Sequence, residues 1–315
     1  MDAPFLPAQI ERTEHRPALA YAMVSAAALL WALNGTVSKV ILSSGFSSLR
    51  LAEVRSTGAV LVFVLVLALV RPQSLRISRS ELPFLVFFGV CGLALVQWLY
   101  FVAIHRIEIG ISLVIQYMAP VLVAAWARFV MHERVRRRIW VALVLALAGL
   151  TLVVDLWHGF ALDGLGVAAA LGAAAAYALY ILLAERAVGT RDPGSLLCWG
   201  FFFAAVFWAV AQPWWSFPAH LVVDRVSLHG NLAGWHLPVW SLMAWMVVFG
   251  TVVPFLLLVG ALRHVPATRA AIIAMLEPVA GAFIAWIWLS ESLGAAQLVG
   301  GGIVLSAVFL AQTAR

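Results

Sequence analysis

The residue of this chain best suited to chemistry is Glu277, in the run Ala274-Met-Leu-Glu-Pro-Val-Ala280. Roughly ten mostly apolar residues flank it on each side, so the segment is long enough to cross a bilayer. An ionisable group at the centre of such a segment is costly, and it marks a proton, an ion or a substrate as its purpose. Glu277 could carry a proton or face a cationic or amino group. It could also serve structure alone, by bonding backbone groups freed around Pro278, because proline removes a helix donor. Asn34, Gln97, Gln116, Tyr117, Tyr177 and Tyr180 also fall in or near apolar runs. Each is costly in lipid unless it faces the bundle interior. As a set they read as the wall of a polar cavity; singly, each also reads as an interhelical hydrogen bond. Trp31 and Trp98 lie within spans and could stack on a cationic or aromatic substrate. Pro120 and Pro278 should kink two core helices at matching depth, freeing carbonyls and providing bending points.

Other reactive groups are sparse. Cys91 and Cys198 sit in apolar runs and read as small buried side chains, with no disulfide framework. His220, His229 and His236 share a loop, but their spacing matches no compact metal motif, so no metal or cofactor is expected. An intramembrane protease would need an embedded Ser/His pair, two aspartates or a His-Glu-x-x-His motif, and the chain has none. It also has no phosphate-binding loop for a primary pump. Glu133 and Glu291 stand at loop turns and read as helix caps, and Arg269 reads as a cation snorkelling to the interface.

Composition fixes what must position these groups. The chain of 315 residues is 64% hydrophobic and 11% charged, with a mean hydropathy of +1.01. A soluble domain carries about 25% charged residues, so lipid must solvate much of this surface. The net charge of +6 belongs to loops facing the cytoplasm rather than to a nucleic-acid partner. Ten apolar segments run at roughly 18–42, 50–70, 83–103, 108–131, 138–155, 162–184, 194–213, 239–262, 267–289 and 294–313. They suit membrane helices rather than alternating barrel strands. Arg12 and Arg16 precede the first run as in a signal peptide, but the run is too long for one and reads as a retained helix after a tail at 1–17.

The halves repeat. Ala103-Ile-His-Arg-Ile aligns with Ala261-Leu-Arg-His-Val, and the same offset of 158 pairs Pro120 with Pro278 and Glu133 with Glu291. Earlier in the repeat an offset of 146 pairs Trp31-Ala32 with Tyr177-Ala178. Five spans per half is an odd number, so the halves lie in opposite orientations, with the site expected at the midplane between them. With the N-terminus inside, 15 Lys and Arg residues fall on the inner side and 5 on the outer. The outer five are Lys39, Arg50, Arg55, Arg106 and Arg225. This bias predicts a multi-pass protein of the cell membrane with both termini cytoplasmic.

Gln116-Tyr-Met-Ala-Pro120…Glu133, Leu276-Glu-Pro278…Glu291 and Trp31-Ala-Leu-Asn34 together resemble the EamA family of the drug/metabolite transporter superfamily. The resemblance covers about 18–313. It implies an all-α membrane protein of ten helices, as two inverted five-helix repeats at 18–155 and 162–313. It further implies a central cavity lined by helices 1, 3, 4, 6, 8 and 9, and export of small metabolites such as amino acids. The position matching Glu277 in the first repeat is Ala119, so any coupling through Glu277 is one-sided. The expected function is a secondary exporter of amino acids or related metabolites, proton-linked and working by alternating access. Two other readings stand beside it: efflux of hydrophobic cations, with Glu277 as counter-ion, and a non-transporting scaffold. Expected partners are the bilayer and a small-molecule substrate. Gly300-Gly-Gly302 allows close helix contact, within the chain or in a homodimer.

Overall fold

In lipid every backbone polar group must be satisfied within its own segment, so apolar runs of this length become helices. The computed structural model describes residues 16–107, 109–154, 163–290 and 292–313. Most of the expected N-terminal tail, including Arg12, lies outside those residues, as do Glu291 and Arg315. Ten helical spans follow one another. They are α1 (Pro17–Leu42), α2 (Ser48–Val70), α3 (Leu82–Ile104), α4 (Ile109–Gln116 and Ala119–Phe129) and α5 (Arg137–Val153). The second half comprises α6 (Gly164–Ala187), α7 (Pro193–Ala211), α8 (Val239–Ala261), α9 (Ala267–Ala274 and Leu276–Leu289) and α10 (Ala295–Gln312). Nine of them are long and apolar enough to cross a membrane, and α5 follows with 17 residues. Side chains such as Leu61, Leu69, Val144, Val210 and Phe309 point outward from the bundle, as lipid contact requires. The chain is therefore an all-α, multi-pass membrane protein.

Local sequence sets several of the starts. The Ser47 hydroxyl accepts from the Arg50 amide (3.2 Å), and Asp163 Oδ1 accepts from the Gly166 amide (2.8 Å). Asp192 caps α7 by accepting from Gly194 and Ser195, with Pro193 in the first turn. These are the side-chain acceptors that orphan helix N–H groups need. α4 and α9 are each interrupted, at 117–118 and at Met275, and each resumes with a proline in its first turn, Pro120 or Pro278. There a missing N–H costs nothing.

α3 and α8 carry a feature the sequence analysis did not anticipate. Phe88–Ala94 in α3 and Val248–Val252 in α8 are wound as π-helix. The offset of 158 superposes Val90–Ala94 on Val248–Val252, so the two bulges are repeat mates. Such bulges leave carbonyls without their usual partners and recur at functional sites.

Packing follows the same duplication. Mates pair with each other: α2 runs along α7, and α5 along α10. Other extensive contacts cross between halves, with α1 against α8 and α9, and α6 against α3 and α4. The α5–α10 seam is a backbone contact, since a Cβ built on Gly300 would lie 2.5 Å from the Gly149 carbonyl oxygen. Tyr21, near the start of α1, donates to the Gln312 carbonyl at the end of α10 (3.3 Å), so the two ends of the described chain share one face.

Both ends of the α2–α7 pair are fastened. On the terminal face Arg191 binds Glu81 (2.6 Å) and the Arg76 carbonyl (3.1 Å), and Ser195 donates to the Ser74 carbonyl. On the opposite face the buried Arg50 bonds Glu53 (2.6 Å), the Gln212 and Pro213 carbonyls (3.0 and 3.1 Å) and Ser216. On that face a short antiparallel ribbon, β1 (Arg225–Ser227) with β2 (His236–Pro238), interrupts the otherwise helical fold. Its loop straps the end of α9: the Trp288 indole donates to the Leu228 carbonyl (2.8 Å) and the Asn231 amide to the Ile287 carbonyl (2.8 Å). Gly230 has φ +52 and lies so close to the Trp288 carbonyl that no side chain fits there.

Candidate functional site

The interruptions of α4 and α9 meet inside the bundle. The break in α9 places Glu277 in the first turn of its second piece, midway along the span. The N-terminal end of a helix carries partial positive charge, which favours a carboxylate at that position. The break in α4 holds Tyr117, which is 6% exposed and within hydrogen-bonding reach of the Glu277 carboxylate. Tyr117 and Met275 are mates at the offset of 158, so the contact joins equivalent breaks of the two halves.

A second charge lies in the same place. Arg55, about two turns into α2, turns into the bundle, where its Nε donates to Thr251 Oγ1 (3.2 Å). Thr251 belongs to the π segment of α8 and donates in turn to the Met246 carbonyl (3.1 Å), five residues back. Arg55 and Glu277 attract each other electrostatically, yet no direct ion pair joins them. Both are half-buried, so each keeps some accessible surface. The hydroxyls of Tyr100 and Tyr177 feel the charge on Glu277 as well. A cation and three phenols, drawn from α2, α3, α4 and α6, thus lie within electrostatic range of Glu277 on α9. Arg55, counted in the sequence with the cations at the outer ends of the spans, has its side chain directed into the bundle.

The other expected residues divide. Trp31 is buried and meets Phe255 edge-on (5.2 Å, 79°), and Phe255 meets Tyr180 (5.7 Å). Tyr177 stacks on Tyr180 (6.1 Å, 7°), which completes an aromatic wall drawn from both halves. Asn34 is buried against Gly250, whose missing Cβ makes room for the Asn34 carboxamide. Its mate contact is Tyr180 against Gly92, where a Cβ would come within 3.4 Å. Asn34 Oδ1, Gln97 Oε1, Gln116 Oε1 and the Tyr180 hydroxyl are buried without a partner among the described residues. Trp98 is not brought to this cluster. It is 39% exposed and packs on Phe207 and Trp208 of α7, on the lipid side.

Arg55, Thr251 and Tyr100 escaped the sequence reading. For Arg55 there was a signal, a guanidinium two turns inside an apolar run, which belongs with Glu277 as a costly intramembrane charge. Among the described residues no three His, Cys, Asp or Glu side chains cluster as metal ligands, and His229 instead bonds Ser43 (2.8 Å).

The doubled architecture has its counterpart in known proteins. Residues 18–155 and 164–313 each match the model of the EamA-like transporter family. The chain belongs to that family. It is 27% identical over 264 residues to the threonine/homoserine exporter RhtA of Escherichia coli K12, covering 84% of this chain and 79% of that protein. It is 26% identical over 291 residues to the pseudopaline exporter CntI of Pseudomonas aeruginosa, covering 91% and 95%. An uncharacterized transporter of Archaeoglobus fulgidus is 27% identical over 284 residues. A solved crystal structure superposes with a TM-score of 0.76 at 16% identity, covering 93% of this chain and 96% of that one, which speaks for the shared fold.

Proposed function

We propose that this EamA-like transporter is a secondary exporter of amino acids or related small metabolites, working by alternating access with proton exchange at Glu277. The observation that carries the reading is the meeting of Glu277 and Tyr117 at the paired helix breaks. Discontinuous helices from inverted repeats commonly form transporter sites, because their ends present unpaired backbone groups and their joints bend. A carboxylate at this depth is costly when charged and unpaired, so gain and loss of a proton can be tied to gain and loss of a substrate amine. Relatives described as exporters of threonine, homoserine and pseudopaline support a polar metabolite as cargo. Pro120 and Pro278 act as joints, and the repeats extend over 18–155 and 162–313. We place the protein in the cell membrane with both termini cytoplasmic, following the arginine bias.

Export of hydrophobic cations is disfavoured by Arg55, which would repel such cargo from the pocket that Glu277 offers it. A scaffold would need no charge at this depth. The test is metabolite profiling of the medium from cells expressing wild type or Glu277→Gln at matched membrane levels. Wild type should accumulate a metabolite outside, and the variant should reduce that export at least tenfold. Equal export by both would make Glu277 structural and overturn the coupling mechanism.

A further inference from the structure

Arg55 is a charge that the export mechanism above does not use. A guanidinium in a bilayer core is too costly to be incidental. Its Nε is engaged by Thr251, and among the described residues its two terminal nitrogens have no acceptor. The carboxylate whose charge reaches it, Glu277, attracts it without forming an ion pair with it. Had the two served only to neutralise each other, contact would be the cheaper arrangement, because attraction grows as separation falls. The terminal nitrogens instead present the paired donors that fit a carboxylate bidentately. Thr251 fixes the plane of that fork, and its own hydroxyl proton is committed to the Met246 carbonyl of the π segment.

We infer that Arg55 is the anchor for the substrate's carboxylate, and that the site takes a dipolar ligand spanning Arg55 on one half and Glu277 on the other. A free α-amino carboxylate has this charge layout. Its acid group docks on Arg55 and its ammonium faces Glu277 and Tyr117. A ligand lacking the carboxylate leaves the guanidinium unpaired, and one lacking the amine leaves Glu277 unpaired. Buried polar groups left unpaired are what give a site strong discrimination. Specificity is thereby divided between α2 and α9. This inference rests on the export reading, and the test separates the two.

The full-length protein, purified in detergent, is titrated with each of the twenty L-amino acids by thermal shift. The amino acid giving the largest shift is then compared with its amide, which lacks the acid, and its N-acetyl form, which lacks the amine. The wild type is expected to prefer the parent amino acid to both. Arg55→Gln should lose about tenfold to a hundredfold in affinity for the parent while binding the amide within about threefold of wild type. Arg55→Lys, which keeps the cation, should retain most of the preference and serves in its place if Arg55→Gln does not fold. If Arg55→Gln keeps the wild-type preference for acid over amide, or if Arg55→Lys loses the parent and the amide equally, the inference is overturned while the export reading stands. If no amino acid stabilises the wild type, the amino-acid export reading falls, and this inference with it.

Discussion

Glu277 and Arg55 are each tolerable at this depth partly because of the other. Removing one leaves an uncompensated charge, whereas removing both leaves a polar but neutral pocket. Glu277→Gln or Arg55→Gln alone should therefore destabilise by about 1–3 kcal/mol, and the double substitution should recover part of that loss. Chemical unfolding of the four proteins in detergent measures it, and simple additivity would refute the coupling. A second prediction concerns Gly250. Its Cβ position is taken by the Asn34 carboxamide, so Gly250→Ala should cost about 1–3 kcal/mol and Asn34→Gly should relieve much of that cost in the double variant. Glu277 was legible in the sequence because any charge amid apolar residues stands out. Arg55 stood out equally in composition but lay close enough to a helix start to be counted with the cations at the outer ends of the spans. Trp98 shows the converse limit. A helix apolar all round gives no sign of which side faces lipid, so its orientation came only from the packing of α3 on α7.

At the scale of elements, the spans themselves were the easiest to read, since twenty apolar residues leave the chain little choice but a helix. Pro120 and Pro278 also marked where α4 and α9 are interrupted. The π segments had no comparable marker. They hold glycines, Gly89, Gly92 and Gly250, but glycine in a membrane helix reads equally well as a packing contact. Here it serves both uses: Gly89 lets α3 approach the Gly200 backbone of α7, and Gly250 receives Asn34. The α5–α10 seam carries a sharper test. Gly149→Leu or Gly300→Leu must drive the backbones apart, so each should lower the melting temperature in detergent more than Gly302→Leu, which opens onto free space. Pro278→Ala removes the ring that crowds the carbonyl four residues back, so α9 can run on through its break. It should slow transport measured in vesicles, and an unchanged rate would remove the joint from the mechanism.

For the whole molecule, the α2–α7 pair is fastened at both faces while the site lies between. The fastening at the terminal face should respond to acid. The Ser78 amide and hydroxyl, and then Arg191, hold the Glu81 carboxyl below its ordinary 4.5. A carboxyl depressed on folding adds stability that is complete above its unfolded pKa and vanishes as pH falls through the folded one. The melting-temperature gap between wild type and Glu81→Gln should thus be flat above about pH 6.5 and narrow below pH 4.5. Thermal scans from pH 3 to pH 7 measure it, and a gap that widens in acid would reverse the assignment. The inverted duplication was legible because Pro120 and Pro278 keep one spacing, yet the exchange of partners between halves, α1 with α8 and α6 with α3, was visible only in three dimensions. That exchange bears on ancestry. The counterpart of Glu277 in the first half is Ala119, and that of Arg55 in the second half is Phe201. A protein assembled from two copies of the first half would hold two cations and no anion at its centre, and one from two copies of the second half would hold the reverse. A duplicated ancestor with identical halves had no way to tell the two ends of a dipole apart. The inferred dipolar site therefore needs halves that differ at these two positions.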